Sequence, residues 1–152
     1  MRAVSASTSN LDPYRAGVEL GESVASIEPE VVFLFSSIHY AVPDLLEGVR
    51  DAIGRDDVIV IGNSGDGCVE TAGVFHIGAA ALALASGGRV RWQVDVFSGL
   101  NEGLEDKLGQ LLDRLAATQD RPRVAYLVSD FRVDAGVIET TLQRHAAFPI
   151  VG

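Results

Sequence analysis

The sequence predicts an α/β fold, with a largely parallel or mixed sheet flanked by helices. Three features predict it. Val31 to Phe35, Val58 to Ile61 and Val124 to Val128 are uninterrupted runs of strand length, rich in β-branched and aromatic residues. Such runs suit a sheet covered on both faces. Apolar stripes at helical spacing fall between them, and the second half of the chain repeats the order of the first.

Val4 to Thr8 is a weak strand candidate. Asp12 then supplies a cap and Pro13 the first position of a helix whose apolar stripe is Leu20, Val24 and Ile27. After Val31 to Phe35, a second helix starts near Pro43, buries Leu45, Leu46, Val49 and Ile53, and stops at Gly54. Val58 to Ile61 runs into a glycine-rich loop, Gly62 to Cys68. The alanines of Ile77 to Ala85 favour helix by propensity. Gly73, Gly78 and Gly87-Gly88 interrupt or bound that run and no charged residue offers a wet face, so it reads as a strand. In Arg89 to Phe97, Val90, Trp92, Val94 and Val96 alternate with polar residues, the pattern of a strand with one wet face. Asn101 caps a third helix with Leu104, Leu108, Leu111 and Leu115 inward. Asp134 caps a fourth, which carries Ile138, Leu142 and a structural His145.

Val31 to Ser37 aligns with Val124 to Asp130, and Val60-Ile61-Gly62 with Ile150-Val151-Gly152. One domain over residues 1–152 is therefore expected, with repeat units 1–86 and 87–152 from a duplicated βαβαβ segment. The second unit lacks the loop and strand that follow Gly62, so a continuation of the chain and a homo-oligomer formed through the unfinished half are both expected.

Length and composition narrow the function. A chain of 152 residues that is 47% hydrophobic has an ample core for one domain, which argues against disorder. The net charge of -9 repels nucleic-acid phosphate and anionic lipid. No secretory signal is read at the N-terminus, and the apolar run 77–85 is too short to span a bilayer, so neither membrane insertion nor nucleic-acid binding is expected. A single cysteine, Cys68, allows no intrachain disulfide and fits a cytoplasmic location.

Open α/β sheets bind ligands beyond the carboxyl ends of their strands. Here those ends carry Thr8, Ser9 and Asn10, then Ser36, Ser37 and His39, then Asn63, Ser64 and Asp66, and lastly Ser129 and Asp130. Short polar residues also favour turns and caps for purely local reasons, so each alone is weak. The loop Gly62-Asn63-Ser64-Gly65-Asp66-Gly67-Cys68 is the most distinctive segment. Its glycines permit positive φ and close approach of a ligand, and exposed amides there can hold a carboxylate. A plain turn between strands explains the glycines equally well. The spacing matches neither a dinucleotide fingerprint nor a Walker loop, and no cofactor is called for.

The segments VVFLFSSIHYAVPDLLEGVRDAI, VIVIGNSGDGCVETAG and VFHIGAAALALAS together resemble the N-terminal module of the FIST family. In that family a Ser-containing turn follows an apolar strand, and a Gly-Cys-Ser-Thr-Ala-Gly-Glu type loop follows the next. Gly62, Ser64 and Gly67 keep that pattern, whereas Asn63, Asp66 and Cys68 replace the usual cysteine, alanine and glutamate. The resemblance implies a sensory domain of a signal transduction protein that binds a small ligand, with amino acids as the candidate class. It also implies an output module or a C-terminal partner module, neither of which is visible in this chain. The candidate binding residues are Ser36, Ser37, His39, Gly62, Asn63, Ser64, Gly65, Asp66, Gly67 and Cys68, with no catalytic or metal-ligating residue assigned.

Two rival classes remain. An enzyme would use Cys68 as a nucleophile with His39 or His76 as its base. A metal site from Cys68, His76 and Glu70 has no tight ligand spacing behind it. A protein-protein interaction module would pair the alternating strand around Trp92 with a partner.

Overall fold

Asp12 starts the first helix as its chemistry demands: its carboxylate accepts the Arg15 N–H at 3.0 Å, with proline at the first position. The computed structural model describes residues 1–70, 73–98, 102–129 and 132–152. They fall into two compact units, Met1–Val94 and Asp95–Gly152. The first contains β1 (Arg2–Thr8), α1 (Pro13–Ala25), β2 (Val31–Ser37), α2 (Val42–Ile53), β3 (Ile59–Gly65), β4 (Cys68–Glu70), β5 (Gly73–Phe75) and β6 (Ala79–Ala85). The second contains α3 (Leu104–Ala116), β7 (Ala125–Tyr126), α4 (Ala135–His145) and β8 (Ile150–Val151).

The main sheet is mixed, in the order β1-β6-β2-β3. β2 and β3 pair in parallel, and β6 runs antiparallel to both β1 and β2. Residues in register across the strands share a face. Val4, Ala83, Val32 and Val60 form one such row, and Ala6, Ala81, Leu34 and Gly62 the next. This face meets α1 and α2, where Leu20, Val24, Leu45 and Val49 complete the core. Ala79, Ala81, Ala83 and Ala85 line this face of β6 and join the same core. The opposite face carries Phe33, Phe35 and Leu84, all half-buried, and Leu82, which is 40% exposed. Val31, Ser37 and Ala80 are buried on that face as well, although both helices of the first unit pack against the other.

The alternating segment 89–98 is assigned no strand among the described residues. Alternation favours an extended chain, but a strand also needs a neighbour's backbone groups. Here side chains set the path instead. The Glu30 carboxylate accepts the Ser86 hydroxyl at 2.6 Å, the Gly88 N–H at 2.8 Å and the Trp92 indole N–H at 2.7 Å. These donors, Ser86 first, hold the Glu30 pKa down at about 2. A carboxylate depressed in the folded state contributes fully above its unfolded pKa, and the contribution is lost as pH falls through the folded value. Emission from Trp92, the sole tryptophan, is therefore expected to change as pH drops from about 4.5 toward about 2. Glu30→Gln should remove that titration; a titration unchanged in the variant would refute the assignment.

In the second unit β7 and β8 pair in parallel, with Ala125 opposite Ile150 and Tyr126 opposite Val151. Val32 opposite Val60 and Phe33 opposite Ile61 have the same register in the first unit. Helices α3 and α4 meet where Gly109 lies against the His145 ring, and His145 Nδ1 is 2.9 Å from Asp113. That crossing buries Leu108, Leu112 and Thr141. The expected stripes are thus rotated: Leu111 and Leu115 on α3, and Ile138 and Leu142 on α4, are only half-buried. The cap expected at Asn101 lies outside the described residues, and Gly103 occupies the N-cap position of α3.

Candidate functional site

Because β1, β2 and β3 all run in one direction, their carboxyl ends gather at one end of the main sheet. A single row there crosses all four strands as Thr8, Ala79, Ser36 and Ser64. It places three hydroxyl side chains on the helix-bearing face, just beyond the aliphatic core. The pleat puts Ser37 and Asn63 on the opposite face, so the candidate residues divide between two surfaces.

Gly62 to Gly65 are not a loop. They continue β3, with Leu34 opposite Gly62, Phe35 opposite Asn63, Ser36 opposite Ser64 and Ser37 opposite Gly65. The parallel ladder with β2 absorbs them, and the chain turns only at Asp66 and Gly67. Gly62 is needed for space rather than for positive φ: a Cβ there would lie 1.7 Å from the Leu34 carbonyl oxygen. Asn63, Ser64, Asp66 and Gly67 are exposed, as is His39 on the turn after β2. That turn is tied to β3 by the Ile38 N–H, which donates to the Gly65 carbonyl at 2.8 Å.

Three further residues, Asn10, Glu19 and Tyr40, complete this end of the sheet. The Thr8 hydroxyl donates to Glu19 Oε2 at 2.5 Å, and Asn10 Nδ2 donates to Glu19 Oε1 at 2.7 Å. These two donors hold the Glu19 carboxyl below its ordinary range. The Tyr40 hydroxyl donates to the Asn10 carbonyl at 2.5 Å, and burial first, then the neighbouring Cys68 and Glu19, push its pKa up. Asn10 is thereby held from both sides, by a carboxylate through its amide and by a phenol through its carbonyl. Thr8 and Asn10 follow a predicted strand, a signal that was available in the sequence. An exposed glutamate on a helix carries no such signal.

Cys68 is buried at the end of the ladder between β2 and β6. Its thiol donates to the Gly78 carbonyl at 3.2 Å, with the Phe35 carbonyl 3.7 Å away. Burial pushes its pKa up, partly offset by the Ser37 backbone N–H. The same Gly78 carbonyl accepts the Ser37 N–H at 2.9 Å. Ser37 is 0% exposed, and its hydroxyl has no hydrogen-bond partner. His76 is exposed. Among the described residues, no group of three His, Cys, Asp or Glu side chains is placed to hold a metal ion, and no helix is long and apolar enough to cross a membrane.

Asp130 lies outside the described residues. Ser129 belongs to the second unit, where it lines a cleft of about 310 Å³ that sequence reasoning did not anticipate.

Residues 30–152 match the family described as FIST N domain. No curated protein and no solved structure matches the chain.

Proposed function

This chain belongs to the FIST family, whose members are generally sensory domains of signalling proteins, and from that premise we propose that it senses a small zwitterionic ligand at the carboxyl end of the main sheet. The carrying observation is the Thr8–Asn10–Glu19 network beside the hydroxyl row of Thr8, Ser36 and Ser64. A carboxylate fixed by two donors is preorganised to receive an ammonium group, and hydroxyls beside it suit a ligand's polar remainder. Free amino acids are the class we propose, in a cytoplasmic protein that passes the signal to an output or partner module.

Chemistry at Cys68 is not part of this reading. A thiol is nucleophilic as the thiolate, and burial with a carbonyl acceptor favours the neutral form.

The test is a titration of isotope-labelled chain with a panel of the free amino acids, followed by amide NMR. Shifts are expected at Thr8, Asn10, Tyr40 and Ser64. Glu19→Gln should weaken binding by about tenfold or more, the scale of one charge-assisted hydrogen bond. Cys68→Ala should leave binding intact. A panel that moves none of these amides sinks the proposal.

A further inference from the structure

We infer that the second unit carries a ligand site of its own: the cleft between α4 and the β7–β8 pair, which takes a short aliphatic amine. This inference does not depend on the reading of the main-sheet rim, because it rests on residues of the second unit alone.

The cleft measures about 310 Å³, at the small end of the range for ligand pockets. Its walls include Leu127, Ile138, Leu142 and Ile150, each only half-buried. The first unit has a parallel pair of the same register under α2, yet there the corresponding space is filled. Counted from the N-caps Ala41 and Asp134, Leu45 and Val49 stand where Ile138 and Leu142 stand. Leu45 and Val49 are 1% and 0% exposed. The two helices therefore present aliphatic residues at equivalent places, and those of α4 line the cleft, half-buried. Apolar surface in a concave site favours an apolar occupant.

Polar groups at the cleft select the ligand's other end. Glu139 and Gln143 both line it, and Gln143 Nε2 donates to Glu139 Oε1 at 3.2 Å. The amide orients the carboxylate from one helical turn away. Ser129, beyond the carboxyl end of β7, adds a hydroxyl. None of the described lining residues is Lys or Arg, so the carboxylate sets the charge of the site. A cation complements it, and the aliphatic walls call for a short hydrocarbon tail. A primary alkylammonium ion joins both features.

The probes are n-butylammonium, n-hexylammonium and the neutral 1-hexanol, titrated into isotope-labelled full chain. Hexylammonium is expected to shift amides around Leu127–Ser129, Ile138–Gln143 and Ile150–Gly152. Its affinity should exceed that of butylammonium by about fourfold per added methylene. Glu139→Gln, a change at an exposed position, should weaken hexylammonium by about tenfold or more and leave 1-hexanol unchanged. Leu142→Trp, which fills the cleft, should abolish both. Shifts confined to Thr8 and Asn10 would overturn this site while supporting the rim. Hexanol binding as tightly as hexylammonium, or an unchanged hexylammonium affinity in Glu139→Gln, would overturn the amine assignment. Absence of any shift would overturn the site itself.

Discussion

Gly48→Ala is expected to cost the first unit about 3 kcal/mol, at the upper end of overpacking penalties, and Gly48→Leu to unfold it. Helices α1 and α2 touch backbone to backbone. An ideal Cβ on Gly48 would lie 2.1 Å from the Tyr14 carbonyl oxygen and 2.9 Å from the Val18 nitrogen. One on Gly17 would lie 2.2 Å from the Leu45 carbonyl oxygen. No rotamer relieves a clash of Cβ with backbone, so the helices must separate. Separation unseats Leu20, Val24, Leu45 and Val49, none more than 1% exposed. Helix propensity points the other way, since alanine at an exposed helix position gains roughly 1 kcal/mol over glycine. The steric cost is larger, so the net sign is destabilising. Urea unfolding followed by circular dichroism measures it, and a loss below about 1 kcal/mol would show that the crossing can open without disturbing the core.

Local chemistry made much of this fold legible. Asp12-Pro13 specifies the start of α1 within four residues, and Gly54, with φ of 66°, ends α2 where the sequence places a stop. The run at Val31 becomes β2 because both its neighbours, β3 and β6, supply ladders. Alternation around Trp92 misled for the converse reason: a pattern describes one chain, while a strand requires two. The β4–β5 hairpin left no apolar signature because its paired Val69 and Val74 are 78% and 70% exposed. Burial, the usual source of such signatures, acts there only on Cys68 and partly on its partner Phe75, too few positions to make a run.

The candidate site shows the same division. Strand ends locate Thr8, Asn10, Ser36 and Ser64, since each sits within a few residues of an apolar run. Which face they share depends on register, and register places Ser37 and Asn63 on the other side. Glu19 and Tyr40 reach the rim through tertiary contacts, with Tyr40 acting on Asn10 across 30 residues of sequence. No local pattern encodes that meeting. Reading Gly62 to Gly65 as a loop followed from composition alone, because glycine, asparagine and serine favour turns. The ladder with β2 overrides that preference.

That ladder supplies the second large effect. Gly62→Ala is expected to destabilise the first unit by about 2–3 kcal/mol, and Gly62→Val by more, despite valine's preference for strands. A Cβ on Gly62 would lie 1.7 Å from the Leu34 carbonyl oxygen and 2.6 Å from its carbon. Leu34 sits in the middle of the β2–β3 register and faces the core, so it cannot retreat without disturbing the ladder on both sides. The strain falls directly beneath the row that holds Ser36 and Ser64. Any ligand bound at the rim should therefore weaken along with stability. Gly152 makes the equivalent contact, with its Cβ position 1.8 Å from the Leu127 carbonyl oxygen. Yet β7 and β8 have only two residues each, a ladder that yields more cheaply than the seven-residue β2–β3 pairing. Gly152→Ala is accordingly expected to cost less than Gly62→Ala. Denaturant midpoints of the two variants, measured side by side, decide the matter: equal losses, or a larger loss at Gly152, would refute the argument from ladder length.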